Sequence, residues 1–359
     1  MKKFKIVILL SMVFIAILVS CKKDTTNTNS IHGWSELGSL NASSDIYSVA
    51  IDKSGYVYVG GDFINANGNY YVAKWNGSSW SELGSLKANE SIRTIAIDKT
   101  GNLYAGGTFT KANGQCYVAK WNGSNWSELG SLNSNISGVY SIATDVSGNV
   151  YAGGDFLTVA EYQYVAKWNG SNWFTLDSFN TIFGYTRSIT TDASGNVYET
   201  GMITNDNGYC YVAAWNGSNW NELGTLNANG NIYSIATDAS GNIYAGGDFT
   251  DGADNNSGKW YVAKWNGNSW SKLGSLNANN YILSVATDAA GNVYAGGEFT
   301  NGNGDRYIAK WNGSSWSELG SLKANGPIYS IAINASGTVY AVGNFNNSSY
   351  KWYVAKYVP

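Results

Sequence analysis

Histidine is nearly missing from this 359-residue chain. There is one, beside three cysteines, two prolines and only 13% charged residues. Each shortage removes something. A single imidazole puts most histidine-based acid–base chemistry and histidine-ligated zinc out of reach. The 22 basic and 25 acidic residues leave a formal net charge of −3, with no basic face to neutralise phosphates, so no nucleic-acid partner is expected. No HExxH, Walker loop or GxSxG elbow occurs, and no cofactor or metal site is expected. What is plentiful is glycine (43), tyrosine (26) and tryptophan (15). Aromatics this dense bury enough surface to offset chain entropy, so the chain is expected to fold.

Two lysines precede an apolar run from Ile6 to Val19, the layout of a signal peptide and too short for a comfortable transmembrane helix. Leu18-Val19-Ser20-Cys21 resembles the bacterial lipobox. The resemblance implies a signal peptide over 1–20, cleavage before Cys21 and lipid on its sulfur. The alternative is a plain secretory signal whose cysteine is incidental. Lys22-Lys23-Asp24 looks like the lysine–acid signals of surface-exposed lipoproteins in Bacteroidota, which implies lipid anchoring at the outer membrane and display on the cell surface. Residues 21–33 then read as lipidated cysteine and flexible polar tether.

The remainder, 34–359, is one module repeated. Trp-Asn-Gly-x-x-Trp recurs at 75–80, 121–126, 168–173, 215–220, 265–270 and 311–316. Counted from Trp34, the second tryptophans are spaced 46, 46, 47, 47, 50 and 46 residues apart. Each unit divides into four short segments rich in Val, Ile, Tyr and Trp, separated by Gly, Asn, Asp and Ser. In the first unit they are strands A (46–51), B (57–63), C (71–75) and D (80–86). Residues 52–55 form the A–B turn, and Asn76-Gly77 signals a C–D hairpin. Seven such units without helices predict an all-β, seven-bladed propeller of four-stranded antiparallel blades. The seventh unit lacks a strand D and the chain begins with a spare one. Strand 34–40 should therefore pair with 353–357 and close the ring, removing an exposed edge. The propeller is expected to be monomeric.

Strands ending in Gly-Gly, followed by Tyr-led and Trp-led strands, resemble kelch-type repeats. The stretches Asp192–Tyr198 and Asp238–Tyr244 are similar to bacterial SBBP β-propeller repeats. These likenesses imply the fold strongly and function weakly. Galactose oxidase has a kelch propeller, but no histidine copper ligands exist here. No sialidase Asp-box appears either.

Antiparallel order puts A–B and C–D turns on one face and B–C and D–A loops on the other. All length variation between units falls in the second set, the face expected to carry function. Tyr47, Tyr140, Tyr233 and Tyr329 start strand A nearest the central channel, and Arg93 and Arg187 take the same slot. Trp260 and Trp352 lie in B–C loops. These eight are the candidate ligand-binding residues, suited to sugar stacking or a peptide-like partner. The alternative for the strand-A tyrosines is that they fill the tapering core. The acids Asp62, Asp155, Asp248 and Glu298 at the end of strand B read either as a carboxylate ring or as repeat inheritance held by nearby donors. Cys116 and Cys210 share a slot two blades apart, too far for a disulfide, and are expected to be free thiols.

The expected function is a non-catalytic, ligand-binding surface lipoprotein whose partner is a glycan or an extracellular protein. The alternatives are an outer-membrane interaction scaffold and a carboxylate-based glycoside hydrolase or lyase.

Overall fold

A computed structural model of the protein describes residues 32–130, 132, 136–156, 162–182, 184–252 and 258–359. Cys21 and the tether up to residue 31 lie outside the described residues. The rest is seven four-stranded antiparallel sheets, each in the order A–B–C–D. In the first blade the strands are Ile46–Ile51, Val57–Gly61, Ala73–Trp75 and Trp80–Glu82. Strand B is buried at all five positions because neighbouring blades cover both of its faces, whereas strand D is largely exposed. The ring closes as the sequence predicts. Gly33–Glu36 pairs with Ala355–Val358, with Trp34 opposite Tyr357.

The strands are shorter than their sequence segments, for local reasons. Strand D stops at Glu82 because Gly84 turns left-handed at φ 60°. A side chain there would come within 2.4 Å of the Trp121 ring in the next blade. The Asn-Gly hairpin forms, but with a four-residue loop closing the Trp75–Trp80 pair, and Asn76 Oδ1 accepts the amides of Ser78 and Ser79. In the A–B turn one oxygen of Asp52 accepts the amides of Ser54 and Tyr56 as an Asx turn. The other oxygen accepts the Tyr58 hydroxyl at 2.9 Å, a bond the sequence reading missed. The same Tyr–Asp bond recurs in the next five blades, from Tyr104–Asp98 to Tyr294–Asp288. Burial alone raises the Asp98 carboxyl. Bonds from Asn102, Thr100 and Tyr104 outweigh it and hold the group below the ordinary carboxylate range.

Two rings of hydrogen bonds fasten blade to blade. On the outside, each strand-D indole donates to a leucine carbonyl of the preceding blade. Trp80 donates to Leu37, Trp126 to Leu83, Trp173 to Leu129, Trp220 to Leu176, Trp270 to Leu223, Trp316 to Leu273 and Trp34 to Leu319, at 2.5–3.1 Å. On the inside, strand-A hydroxyls accept strand-A amides of the adjoining blade, as Ser48 does from Ile95, Ser141 from Ile189 and Ser234 from Val285. Each such bond is worth about 0.5–1.5 kcal/mol net.

The two glycines ending strand B do different work. A side chain on the first would strike a neighbouring blade's side chain, as Gly246 would strike Ile282 at 2.6 Å. A side chain on the second would lie 2.0–2.2 Å from a backbone carbonyl where the chain enters or runs in strand A of the same blade, as Gly247 would from Asn231. Side chains can be exchanged and backbone cannot. Accordingly the first glycine is replaced by Thr200 in blade 4 and Val342 in blade 7, while the second is kept in all seven (Gly61, Gly107, Gly154, Gly201, Gly247, Gly297 and Gly343). Blade 4 departs further. Glu199 takes a slot held elsewhere by alanine or valine and is fully buried together with Thr186 and Thr200.

Three outcomes test this account. Deleting residues 34–40 removes both an indole donor and a leucine acceptor and strips strand 355–358 of its partner. A large drop in melting temperature and new protease sensitivity are expected, and an unchanged melting temperature would refute the ring closure. In double-mutant cycles, Gly246→Ala should cost about 1–3 kcal/mol and couple favourably to Ile282→Ala, because the clash is between side chains. Gly247→Ala should cost more and show no such coupling; equal behaviour of the two glycines would contradict their separate roles. Finally, burial pushes the Glu199 carboxyl up to about 8, against a bond with Thr186 that lowers it. The folded state thus holds this proton more tightly than the unfolded chain, whose carboxyl titrates near 4.5. Its contribution is complete below that pH and is lost as pH rises towards 8. The stability of Glu199→Gln relative to wild type should therefore grow between pH 5 and 8, on the order of a few kcal/mol; a pH-independent difference would contradict it.

Candidate functional site

Each strand A carries a bulge. In the first blade Ile46 pairs with Gly61 and Ser48 with Gly60, which leaves Tyr47 as the extra, unpaired residue. The same register shift isolates Arg93, Tyr140, Arg187, Tyr233, Leu283 and Tyr329. A bulge bends the strand and re-aims one side chain. Here it aims all seven into the central channel, where they line a cavity of about 850 Å³. Tyr185 and Asp155 join the wall. The strand-A hydroxyl residues Ser48, Thr94, Ser234, Ser284 and Ser330 also line it, with Thr108, Val285 and Ile331. The volume lies within the usual range for small-ligand sites.

The wall is a run of rings and guanidinium groups. The Arg93 guanidinium sits 4.3 Å over Tyr47, and Arg187 lies 5.3 Å from both Tyr185 and Tyr233. Tyr47 is 5.7 Å from Tyr329, and Tyr140 meets Tyr185 edge-on at 6.1 Å. Burial raises the Tyr140 phenol, and Asp155 adds to it against the opposing pull of Arg93 and Arg187. Burial likewise raises Tyr233, whose hydroxyl donates to Asp248 at 2.7 Å. These phenols stay neutral at physiological pH and present hydroxyl groups and flat faces.

Six of the eight sequence-predicted residues thus converge in one cavity. Trp260 and Trp352 stand one ring further out on the same face, half-buried, in a B–C slot shared with Tyr70, Cys116, Cys210 and Arg306. The Trp260 indole donates to the Asp248 carbonyl and packs on Tyr281 at 5.8 Å. The Trp352 indole donates to Asn344. Cys116 and Cys210 are free and buried, as expected. Leu283 was missed by sequence reasoning, although its slot is the one held by tyrosine or arginine in the other blades.

The strand-B acids do not act as a group. Asp62 accepts from the Ser91 hydroxyl, Asp248 from Tyr233 and Asn231, and Glu298 pairs with Arg306 at 3.8 Å. Only Asp155 lines the cavity. Nearby, burial followed by the charge of Asp62 raises the Asp45 carboxyl. Among the described residues no group of three His, Cys, Asp or Glu could hold a metal ion. His32 is exposed on the opposite face, its Nδ1 2.8 Å from the carbonyl of Pro359.

No family model matches the chain, and no curated protein matches it in sequence. Solved structures do resemble it in fold. A catalytically inactive histidine-to-alanine variant of virginiamycin B lyase from Staphylococcus aureus, with quinupristin, shares 11% identity at a TM-score of 0.65, over 90% of this chain and 98% of that one. The extracellular domain of a hybrid two-component system from Bacteroides thetaiotaomicron shares 15% at 0.60, over 91% of this chain and 41% of that one. YCF48 bound to a peptide shares 14% at 0.60, over 91% and 97%. At these identities the likeness shows the seven-bladed propeller and nothing further.

Proposed function

We propose that the chain is a non-catalytic, lipid-anchored binding protein of the bacterial cell surface. In this reading its kelch- or SBBP-type propeller takes a glycan or another extracellular macromolecule through the B–C/D–A face. The observation that carries the reading is the convergence of all seven bulge side chains on one cavity, six of them tyrosine or arginine. Tyrosine gives a broad face for stacking with a polar tip, at little conformational cost. Trp260 and Trp352 border the same opening and extend the binding surface.

Other observations support it. The Bacteroides neighbour is an extracellular domain, in keeping with the lipobox-like Cys21. The lyase neighbour loses catalysis when one histidine becomes alanine. The single histidine here, His32, stands on the far face from the cavity, which favours binding over that chemistry. The separate engagement of Asp62, Asp248 and Glu298 gives no support to a carboxylate pair for glycoside cleavage.

A glycan array probed with the propeller, followed by titration of whatever binds, tests the site. Tyr140→Ala/Tyr329→Ala should weaken binding at least about tenfold, or about 1.4 kcal/mol. Trp260→Ala/Trp352→Ala should weaken it less. Full affinity in the tyrosine double variant would remove the cavity from the function.

A further inference from the structure

Arginine is scarce in this chain, and its placement is uneven. There are 19 lysines and three arginines, and all three arginines lie on the B–C/D–A face. Two of them, Arg93 and Arg187, occupy bulge positions in blades 2 and 4, flanking Tyr140 in blade 3. Among the described residues no lysine lines the cavity. A requirement for positive charge alone would be met by the commoner residue. Arginine differs from lysine in offering a planar fork of N–H donors that grips a carboxylate by two parallel bonds.

Both guanidinium groups are held ready for such a partner. Each lies against tyrosine rings, Arg93 over Tyr47 and Arg187 between Tyr185 and Tyr233. These ring contacts fix both guanidinium groups in the wall of the cavity that they line. Among the described residues neither arginine forms an ion pair, whereas Arg306 on the rim has Glu298. Among the described residues, two cations stand against one carboxylate, Asp155, in the cavity lining. Asp62 and Asp248 are engaged by Ser91 and Tyr233, and burial followed by the charge of Asp62 raises the Asp45 carboxyl.

The rest of the lining selects the body of the ligand. Ser48, Ser234 and Ser330 each accept a backbone amide, which leaves their own hydroxyl protons to donate. Three aliphatic residues, Leu283, Val285 and Ile331, line the cavity against five tyrosines and two arginines, so a peptide anchored by apolar residues finds little to fill. Hydroxyl donors below and tyrosine faces around suit a ring-shaped, hydroxyl-rich molecule.

Resting on the reading of the cavity as a binding site, we infer that its ligand is a carboxylate-bearing saccharide, such as a uronic-acid oligosaccharide, whose carboxylates dock on Arg93 and Arg187. The test is an array carrying oligogalacturonates, the same oligosaccharides as methyl esters, neutral oligosaccharides and acidic peptides, with titration of the hits. Oligogalacturonate should bind, its methyl ester at least about tenfold more weakly. Arg93→Gln and Arg187→Gln should each lose at least about tenfold with an unchanged melting temperature, and Arg187→Lys should recover only part. Raised salt should weaken wild-type binding more than that of the Arg→Gln variants. Binding of neutral oligosaccharides that ignores both Arg→Gln changes would overturn this inference and leave the binding reading standing. Binding of the acidic peptides alone would overturn it too. No binding of any saccharide or peptide on the array would overturn both.

Discussion

In every blade the last glycine of strand B lies so close to strand A that no side chain fits between them. A Cβ at Gly61, Gly154 or Gly343 would sit 2.0–2.2 Å from a main-chain oxygen. That approach permits the strand-A bulge, and the bulge has two consequences. It frees one residue per blade from the hydrogen-bond ladder and turns its side chain into the channel. It also restores the register behind it, so the next residue, a serine or threonine in all seven blades, can reach the neighbouring blade. The fold and the cavity therefore depend on the same short distance.

Around this the blades are fastened at two radii, by indole-to-leucine bonds outside and hydroxyl-to-amide bonds inside. Each bond alone is small. Closure makes them act together, because a blade lost from a ring costs two interfaces. The arrangement also explains which departures the repeat tolerates. Thr200 and Val342 replace a glycine that met only side chains, and Thr200 turns its hydroxyl to the Tyr211 carbonyl. Glu199, in contrast, puts an ionisable group where no water reaches, and blade 4 carries that penalty whenever the carboxylate forms.

Blade number, strand order and ring closure were legible in the sequence because they depend on spacing. Six tryptophan intervals and a strand missing at one end left a single way to close the sheet. The strand-A slot was legible as well, since antiparallel order alone puts it nearest the axis. What escaped was local geometry. The Gly-Gly pairs invite a family resemblance, while their physical meaning, one glycine for the neighbouring blade and one for the bulge, needs backbone distances. The same holds for Trp260 and Trp352. Sequence put them in loops, but isolated bridges and indole bonds to Asp248 and Asn344 tie them into the rim. Leu283 escaped because attention fell on aromatic and charged types, when the slot itself was the signal.

The bulge position also separates fold from function by comparison within the chain. The residue before it is Ile, Val or Thr in every blade and fully buried, since it must pack against the neighbouring blade. The residue after it is Ser or Thr in every blade, since it must reach across. Between these two constrained neighbours stands a residue that neither pairs nor packs between sheets, and it alone ranges over Tyr, Arg and Leu. Variation at a site the scaffold leaves free could be drift. Drift in a solvent-facing slot would sample the polar and charged types common elsewhere in the repeat, such as Asn, Ser and Lys. Instead the slot holds four of the chain's tyrosines and two of its three arginines, all turned to one cavity. The scaffold does not require that selection, and a ligand that is stacked upon and gripped in the plane of a guanidinium group would.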